Sequence, residues 1–246
     1  MKLLWNPRLD VDAALGDWYE HAVGPAAALY LKAYYSHWEK FWTERITQSS
    51  WYTAEHQWMK FYNLGYVDII TEQDITQSRE RLEEEALKTE TEQQRKRAEI
   101  LLKAFDYYEA STLSFIDELK SFKSPPGSEE EALTSLDSVE RYMSMKAKWR
   151  RLVTDYSADP VLRLPIKPDR YHSSSGDRWG CYPLWSTYEW ARECDGDVRK
   201  RIGDLTSSTQ GPVRNHAVLM KEILEGTAAP ISRNASFKTI LKDGIL

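Results

Sequence analysis

The chain has 246 residues, which is enough for one large domain or two small ones. Its 33 basic and 38 acidic side chains give a net charge of −5, and this argues against a protein that binds the phosphate backbone of nucleic acids. The mean hydropathy is −0.61 and no apolar run approaches the roughly 20 residues of a membrane-spanning helix, so we expect no membrane span. The first residues lack the apolar stretch of a signal peptide, and none is predicted in this chain.

The first predicted element is a pair of helices over residues 10–45. Asp10 stands where an N-cap residue should, and Gly24 followed by Pro25 is typical of one helix ending and the next beginning. The two helices are therefore expected to form a short-linked pair. Apolar residues recur at helical spacing along the first of them: Val11, Ala14, Leu15, Trp18 and Ala22.

The middle of the chain predicts one long helix. Residues 66–124 include neither glycine nor proline, and their composition indicates a helix over about 71–121. No apolar residue occurs over 88–97, so either the helix projects into solvent there or a break divides it. The acidic run that ends at Glu85 is expected to be solvated.

A second break separates the long helix from the next one. The sequence Ser-Pro-Pro-Gly at 124–127 ends the long helix. Ser128 followed by acidic residues then predicts a capped helix over 129–156. The prolines and glycines of 157–183 exclude a long helix there. A loop of that length inside a compact domain is usually functional or disordered, and its aromatic residues favour an ordered loop.

The remainder of the chain predicts short helices over 184–226. The tail over 229–246 has an extended, turn-bounded pattern instead. The expected fold class is all-α: a multi-helix bundle over residues 1–228 with one long helix, a Pro/Gly/aromatic-rich loop and a short extended tail.

The sequence has no motif of a known reaction class. It has no Gly-rich phosphate loop after a strand, no Gly-x-Ser-x-Gly elbow and no paired-cysteine zinc spacing. Its five histidines never fall four residues apart, so no metal site and no cofactor are expected. Glycoside hydrolysis needs two carboxylates roughly 5–10 Å apart, but helix capping accounts for Asp10 and Asp12, and Asp177 and Asp195 have no obvious partner. The catalytic residues, if the chain has any, stay unknown.

The aromatic composition is the most informative feature, with 10 Trp and 14 Tyr beside only 6 Phe. Trp and Tyr suit positions where the apolar part of the ring is buried and its polar N–H or O–H group stays accessible, as at interfaces and ligand sites. Flat aromatic faces with polar neighbours suit the apolar face and polar rim of a sugar ring. The alternative is that these residues anchor an irregular loop to the helices. The candidate sugar-binding residues are Trp51, Tyr52, Tyr171, His172, Asp177, Arg178, Trp179 and Trp185.

The opening of the chain resembles a known family. The motifs are Leu3-Leu-Trp-Asn-Pro-Arg-Leu-Asp-Val-Asp12, Gly24-Pro-Ala-Ala27 and Tyr34-Tyr35. They are similar to the helical region that follows the catalytic (β/α)₈-type barrel in large bacterial carbohydrate-active proteins. That family is a domain of unknown function related to α-glucuronidases and family-20-type hexosaminidases. The resemblance covers about residues 2–42, and in helix order alone it continues to about 226.

The C-terminal tail has a second, shorter resemblance. Asn234-Ala-Ser-Phe237 is similar to the start of galactose-binding-like β-sandwich modules, with Lys238 in place of the usual Glu. Together the two resemblances imply an internal piece, or a degenerate relative, of a longer glycan-processing protein. Its partners would be a barrel, a β-sandwich and an oligo- or polysaccharide, and such parent proteins are often exported.

The resemblance implies no catalytic residue in this chain, because the acids of such families lie at the C-terminal ends of barrel strands. The first hypothesis is therefore a non-catalytic helical accessory region with aromatic residues near a sugar site, and it predicts an exposed apolar patch. A second hypothesis is a stand-alone protein-interaction module that uses the long helix as its partner surface. A third is a small complete glycoside hydrolase.

Overall fold

The computed structural model describes residues 10–55, 64–123, 126–163 and 181–228. Within these ranges the regular structure is helical and contains no strand, which confirms the all-α multi-helix prediction. The tail over 229–246 and the larger part of the predicted loop lie outside the described residues. The chain divides into two compact units, one ending at Glu109 and the other beginning at Ala110, where the sequence predicted a single helical domain over 1–228.

Unit 1 is built from helices that follow one another closely along the chain. They are α1 (Val11–Val23), α2 (Pro25–Lys40), a π-helical turn (Phe41–Arg45), a 3₁₀ turn (Ile46–Gln48), α3 (Ser50–Glu55), a second 3₁₀ turn (Leu64–Ile69), α4 (Glu72–Leu87) and the first part of α5 (Glu92–Lys123). The unit boundary falls inside α5, where neither glycine nor proline marks it in the sequence.

Unit 2 contains the rest of α5 and the helices after it. They are α6 (Glu129–Ser157), α7 (Tyr182–Trp185), α8 (Tyr188–Glu193), α9 (Asp197–Leu205) and α10 (Gly211–Leu224). Its core is formed where α6 contacts α7, α9 and α10, and it contains Leu136, Tyr142, Leu184 and Ile202, all almost fully buried. α6 begins and ends within one residue of the predicted 129–156.

The joint between α1 and α2 follows the predicted pattern. The Asp10 carboxylate accepts hydrogen bonds from the backbone N–H groups of Asp12 and Ala13, and it therefore caps α1. Gly24 ends α1 with φ at 91°, a left-handed conformation that favours glycine, and Pro25 is the first residue of α2. The end of the flexible Gln94 side chain lies 2.8 Å from the place where a Cβ on Gly24 would be, so a side chain at this position would displace the Gln94 amide.

The single long helix predicted over about 71–121 is wrong, and of the two alternatives the break is the correct one. α4 ends at Leu87, and α5 begins at Glu92 behind a capping box. In that box Thr91 N–H donates to the Gln94 side chain at 2.9 Å, and Gln94 N–H donates to the Thr91 hydroxyl at 3.2 Å. The partner surface that a continuous helix would offer is divided by this break.

An arginine joins α4 to α5 after the break. Arg79 on α4 donates two hydrogen bonds to the Glu109 carboxylate, at 3.1 and 2.6 Å, and one to Asp106 at 2.7 Å. Glu109 is the residue that interrupts the apolar stripe of α5, which includes the buried Ala98 and Phe105. The interruption is explained by this ion pair, because the carboxylate is satisfied by the neighbouring helix.

Candidate functional site

The structure describes three of the eight candidate sugar-binding residues. Trp51, Tyr52 and Trp185 lie within the described ranges, whereas Tyr171, His172, Asp177, Arg178 and Trp179 lie outside them. For those five residues the sugar-site assignment stays a prediction. The three described residues lie in different surroundings and are treated in turn.

Trp185 belongs to the core of unit 2 and not to a ligand site. Its side chain is 2% exposed, and its indole N–H lies 3.2 Å from His216 Nδ1, to which it donates a hydrogen bond. A sugar ring needs an accessible aromatic face, and the Trp185 ring is covered by protein. The assignment of Trp185 as a sugar-binding residue is therefore corrected: it follows the alternative in which the aromatic residue anchors its segment to the helices.

Trp51 is also buried, but it supports an aromatic surface. Its side chain is 2% exposed, and its ring centroid lies 6.2 Å from that of Trp42 and 6.0 Å from that of Tyr66. Trp42 is 42% exposed and Tyr52, the residue after Trp51, is 38% exposed. We call Trp42, Tyr52 and Tyr66 the aromatic surface. Trp51 is thus a supporting residue, and the accessible rings around it are the ones that can contact a ligand.

Local backbone features build this surface. Trp42 lies in the π-helical turn that ends α2, a rare conformation that occurs frequently at functional sites. Asp68 accepts a hydrogen bond from Ser50 N–H at 3.3 Å, and the Ser50 hydroxyl donates to the Gly65 carbonyl at 3.4 Å. These bonds hold the second 3₁₀ turn, which includes Tyr66, against the start of α3.

A partly buried ion pair fixes the π-helical turn. Arg45 donates hydrogen bonds to both oxygens of Asp74, at 2.7 and 2.9 Å, and a third to the Ile69 carbonyl at 2.9 Å. Burial alone would raise the pKa of Asp74, but the hydrogen bonds from Arg45 and Thr71 outweigh it and lower the pKa to about 2. Asp74 is therefore an ionised structural carboxylate and does not donate a proton near neutral pH.

His37 borders the same ion pair. Its Nε2 lies 3.1 Å from Asp74 Oδ1, and its side chain is 17% exposed. Burial lowers the pKa of His37 below its usual value, and the positive charges of Arg81 and Arg45 lower it further against the opposing effect of Asp74. The imidazole is thus neutral at neutral pH and fills the space beside the ion pair.

The acidic run on α4 differs from its prediction at one position. Glu83 and Glu84 are exposed as expected, but Glu85 is 1% exposed, and neither of its carboxylate oxygens has a hydrogen-bond partner among the described residues. Burial raises the pKa of Glu85 to about 7. A helix packed on more than one side buries positions that a charge pattern alone predicts as solvated.

The remaining chemistry of the described part of the chain is sparse. No group of three or more metal-ligating side chains comes together in it, and none of its helices is long and apolar enough to cross a membrane. Asp10, considered as a catalytic acid, is engaged as the cap of α1. Cys181 is buried, which raises the pKa of its thiol to about 12, and Cys194 is exposed; neither forms a disulfide.

Comparison of the chain with protein-family models, curated proteins and solved structures gave no match. Trp42 is the functional candidate that sequence reasoning missed. It falls within the predicted helix pair, where an aromatic residue is interpreted as helix packing, and no local pattern predicts the π-helical turn that leaves it exposed.

Proposed function

We propose that the chain is a non-catalytic helical accessory region of a glycan-processing protein, and that α1 packs against a neighbouring folded domain. The observation that carries this proposal is an apolar stripe on the exposed face of α1. The stripe consists of Val11, Leu15 and Trp18, which are 49%, 41% and 48% exposed. The first hypothesis predicted an exposed apolar patch on these first helices.

The stripe lies next to the face that α1 uses inside unit 1. Tyr19 and Val23 are the buried residues of α1, and they pack in a cluster with Leu31 of α2 and Ala98 of α5. Trp18 makes edge-to-face contacts with Tyr19 and with the partly exposed Tyr35, with the ring centroids 5.2 and 5.7 Å apart. The apolar region of α1 is thus broader than the part that unit 1 buries, and the three stripe residues stay about half exposed.

The second face has the composition of a contact surface. Fully burying a large apolar side chain contributes roughly 1.5–3 kcal/mol, so covering three half-exposed ones supplies a few kcal/mol. The stripe also lies in the part of the sequence that resembles the helical region behind a catalytic barrel. The resemblance supports a catalytic barrel as the domain that covers the stripe. The exposure of the stripe residues supports the stripe as the surface that the barrel contacts.

Dye binding and self-association test this contact surface. The chain is expected to enhance the fluorescence of a hydrophobic dye, or to self-associate in light scattering, and Leu15→Gln together with Trp18→Gln should reduce the effect strongly. Leu87→Gln is the matched control, because Leu87 is 76% exposed at the end of α4 and lies outside the stripe. A monomeric chain that binds no dye, or an equal loss in the control, would contradict the proposal.

The aromatic surface supports the second part of the proposal, contact with a sugar. Trp42 and Tyr52 offer accessible rings, and the elements that form the aromatic surface also contain the Ser50 hydroxyl and the Asp68 carboxylate. Rings together with such polar groups suit a sugar ring. Electrophoresis through gels that contain a panel of polysaccharides tests it. Trp42→Ala is expected to lose retardation, whereas Trp18→Ala should keep it. Equal migration of all variants and the wild type on every glycan would remove the sugar contact.

A further inference from the structure

The carboxyl group of Glu85 lies in a contact between two helices. α4 packs against α2, and Glu85 is buried near the C-terminal end of α4. Neither of its carboxylate oxygens has a hydrogen-bond partner among the described residues, and burying an ionised carboxylate without a partner is strongly unfavourable. The contact between α4 and α2 is therefore more stable while Glu85 carries its proton.

The titratable groups that face Glu85 from α2 and α1 bring no positive charge. On α2 they are the phenols of Tyr34 and Tyr35. Burial raises the pKa of both phenols above the usual 10, so they stay neutral up to pH 8. On α1 the group is the phenol of Tyr19, whose ring is stacked on that of Tyr35 with the centroids 6.0 Å apart. Burial raises the pKa of Tyr19 as well.

α4 and α5 supply no partner for Glu85 either. Arg81 lies one turn before Glu85 on α4, but in the described part of the chain it forms neither a hydrogen bond nor an ion pair with this carboxylate. The charge of Arg81 acts on His37 instead, whose pKa burial lowers below 6.5. α5 contributes the apolar Ala98 to the cluster against which Ala86, the residue after Glu85, packs. Glu85 is therefore not neutralised from any of these four helices.

The two ends of α4 are held by contacts of different kinds. At the N-terminal end, Asp74 accepts two hydrogen bonds from Arg45, and because the pKa of Asp74 is about 2 this contact is unchanged between pH 6 and pH 8. At the C-terminal end, α4 stops at Leu87, and burial raises the pKa of Glu85 to about 7. A short helix end is not stable in water once its packing is lost. Ionisation of Glu85 therefore acts on the last turns of α4 and not on the first.

We propose that Glu85 is a proton-controlled switch of the contact between α4 and α2. With its proton the carboxyl group is neutral, and the last turns of α4, residues 82–87, pack against α2. When the proton passes to the solvent, the buried negative charge favours local opening of these turns. A solution at pH 8 therefore contains more of the open form than a solution at pH 6. The switch does not depend on which domain or ligand unit 1 binds.

Hydrogen–deuterium exchange of the full chain at pH 6 and pH 8, followed by mass spectrometry of peptic fragments, tests the proposal. Rates are divided into those of unstructured peptides at the same pH, so that the resulting protection factors are free of the intrinsic pH dependence of exchange. With a pKa of about 7 in the closed form and 4.5 in the open form, protection over 82–87 should fall about tenfold from pH 6 to pH 8. Protection over 75–78, beside the ion pair, and in α6 should change little.

Two variants assign the effect to one carboxyl group. Glu85→Gln should remove the fall in protection, because glutamine stays neutral, whereas Glu84→Gln, at the exposed neighbouring position on α4, should keep it. The proposal is wrong if protection over 82–87 in the wild type does not change with pH, or if Glu85→Gln keeps the change. An equal loss of protection in α4 and α6 would also overturn it, because ionisation would then unfold the whole chain and not open one helix end.

Discussion

Replacing Glu85 by Gln should stabilise unit 1 at pH 8 and hardly at all at pH 4. Glu85 is 1% exposed on α4, its carboxylate oxygens have no hydrogen-bond partner among the described residues, and the nearby phenols Tyr34 and Tyr35 bring no positive charge. Burial therefore disfavours the ionised form and raises the pKa of Glu85 from 4.5 to about 7.

The magnitude follows from linkage. A rise in pKa from 4.5 to about 7 corresponds to about 3 kcal/mol, at about 1.4 kcal/mol for each tenfold change in the ionisation constant. The native state binds this proton more tightly than the unfolded state does. The contribution of Glu85 to the unfolding free energy is therefore fully present below pH 4.5, and it is lost as the pH rises to about 7. Glutamine is neutral at every pH, so the Glu85→Gln variant does not lose this unfolding free energy as the pH rises.

Urea unfolding at a series of pH values, followed by circular dichroism, measures the effect. The difference in unfolding free energy between Glu85→Gln and the wild type should grow by about 3 kcal/mol between pH 4.5 and pH 8. The lowered pKa of His37 also makes stability depend on pH, but this contribution is the same in both proteins and cancels in the difference.

The control is Glu84→Gln, because Glu84 is the exposed neighbour on the same helix and should show no such growth. A constant difference between Glu85→Gln and the wild type across this pH range would refute the reasoning. So would a carboxyl carbon resonance of Glu85 that titrates near 4.5.

The remaining predictions concern stability and are measured by urea unfolding. Gly24→Ala should destabilise the protein by about 1–2 kcal/mol, because alanine disfavours a φ of 91° and its Cβ would meet a glutamine side chain. Gly16→Ala is the control: its Cβ would lie in open space within α1, and it should stabilise the protein by about 0.5–1 kcal/mol. Arg79→Met should cost about 1–3 kcal/mol by leaving two carboxylates without their arginine, and a change below that would show that the ion pair does not hold α4 against α5. Trp185→Ala should cost about 3–5 kcal/mol as a core deletion but Trp42→Ala only about 1 kcal/mol, and equal costs would contradict their assignment to core and surface.

Local signals in the sequence predicted the helix ends well. Asp10 as the cap of α1, the Gly24–Pro25 joint and Ser128 as the cap of α6 lie where the sequence placed them. Each of these signals acts through hydrogen bonds or backbone angles within a few residues, so no distant contact is needed to interpret it. The break between α4 and α5 also has a local signal, the capping box that begins at Thr91. The sequence prediction gave more weight to the absence of glycine and proline and therefore favoured one continuous helix.

The burial of particular side chains was predicted poorly. Trp185 is a residue type that often contacts ligands, yet it lies in the core. Glu85 is a residue type that is usually exposed, yet it is buried. The apolar stripe of α1 is regular in the sequence, but two of its central members, Leu15 and Trp18, face outward. In each case the residue type is compatible with both surroundings, and the neighbouring helix decides between them.

The sequence by itself determined that this protein is helical and where most of its helices begin and end, because caps, turns and periodicity are local properties of the chain. Only the tertiary structure decided which faces of those helices are covered, since burial depends on residues that are far apart along the chain. The same reason applies to the aromatic surface: the contact between Trp42 and Trp51 arises from helix packing, and no local sequence pattern predicts it.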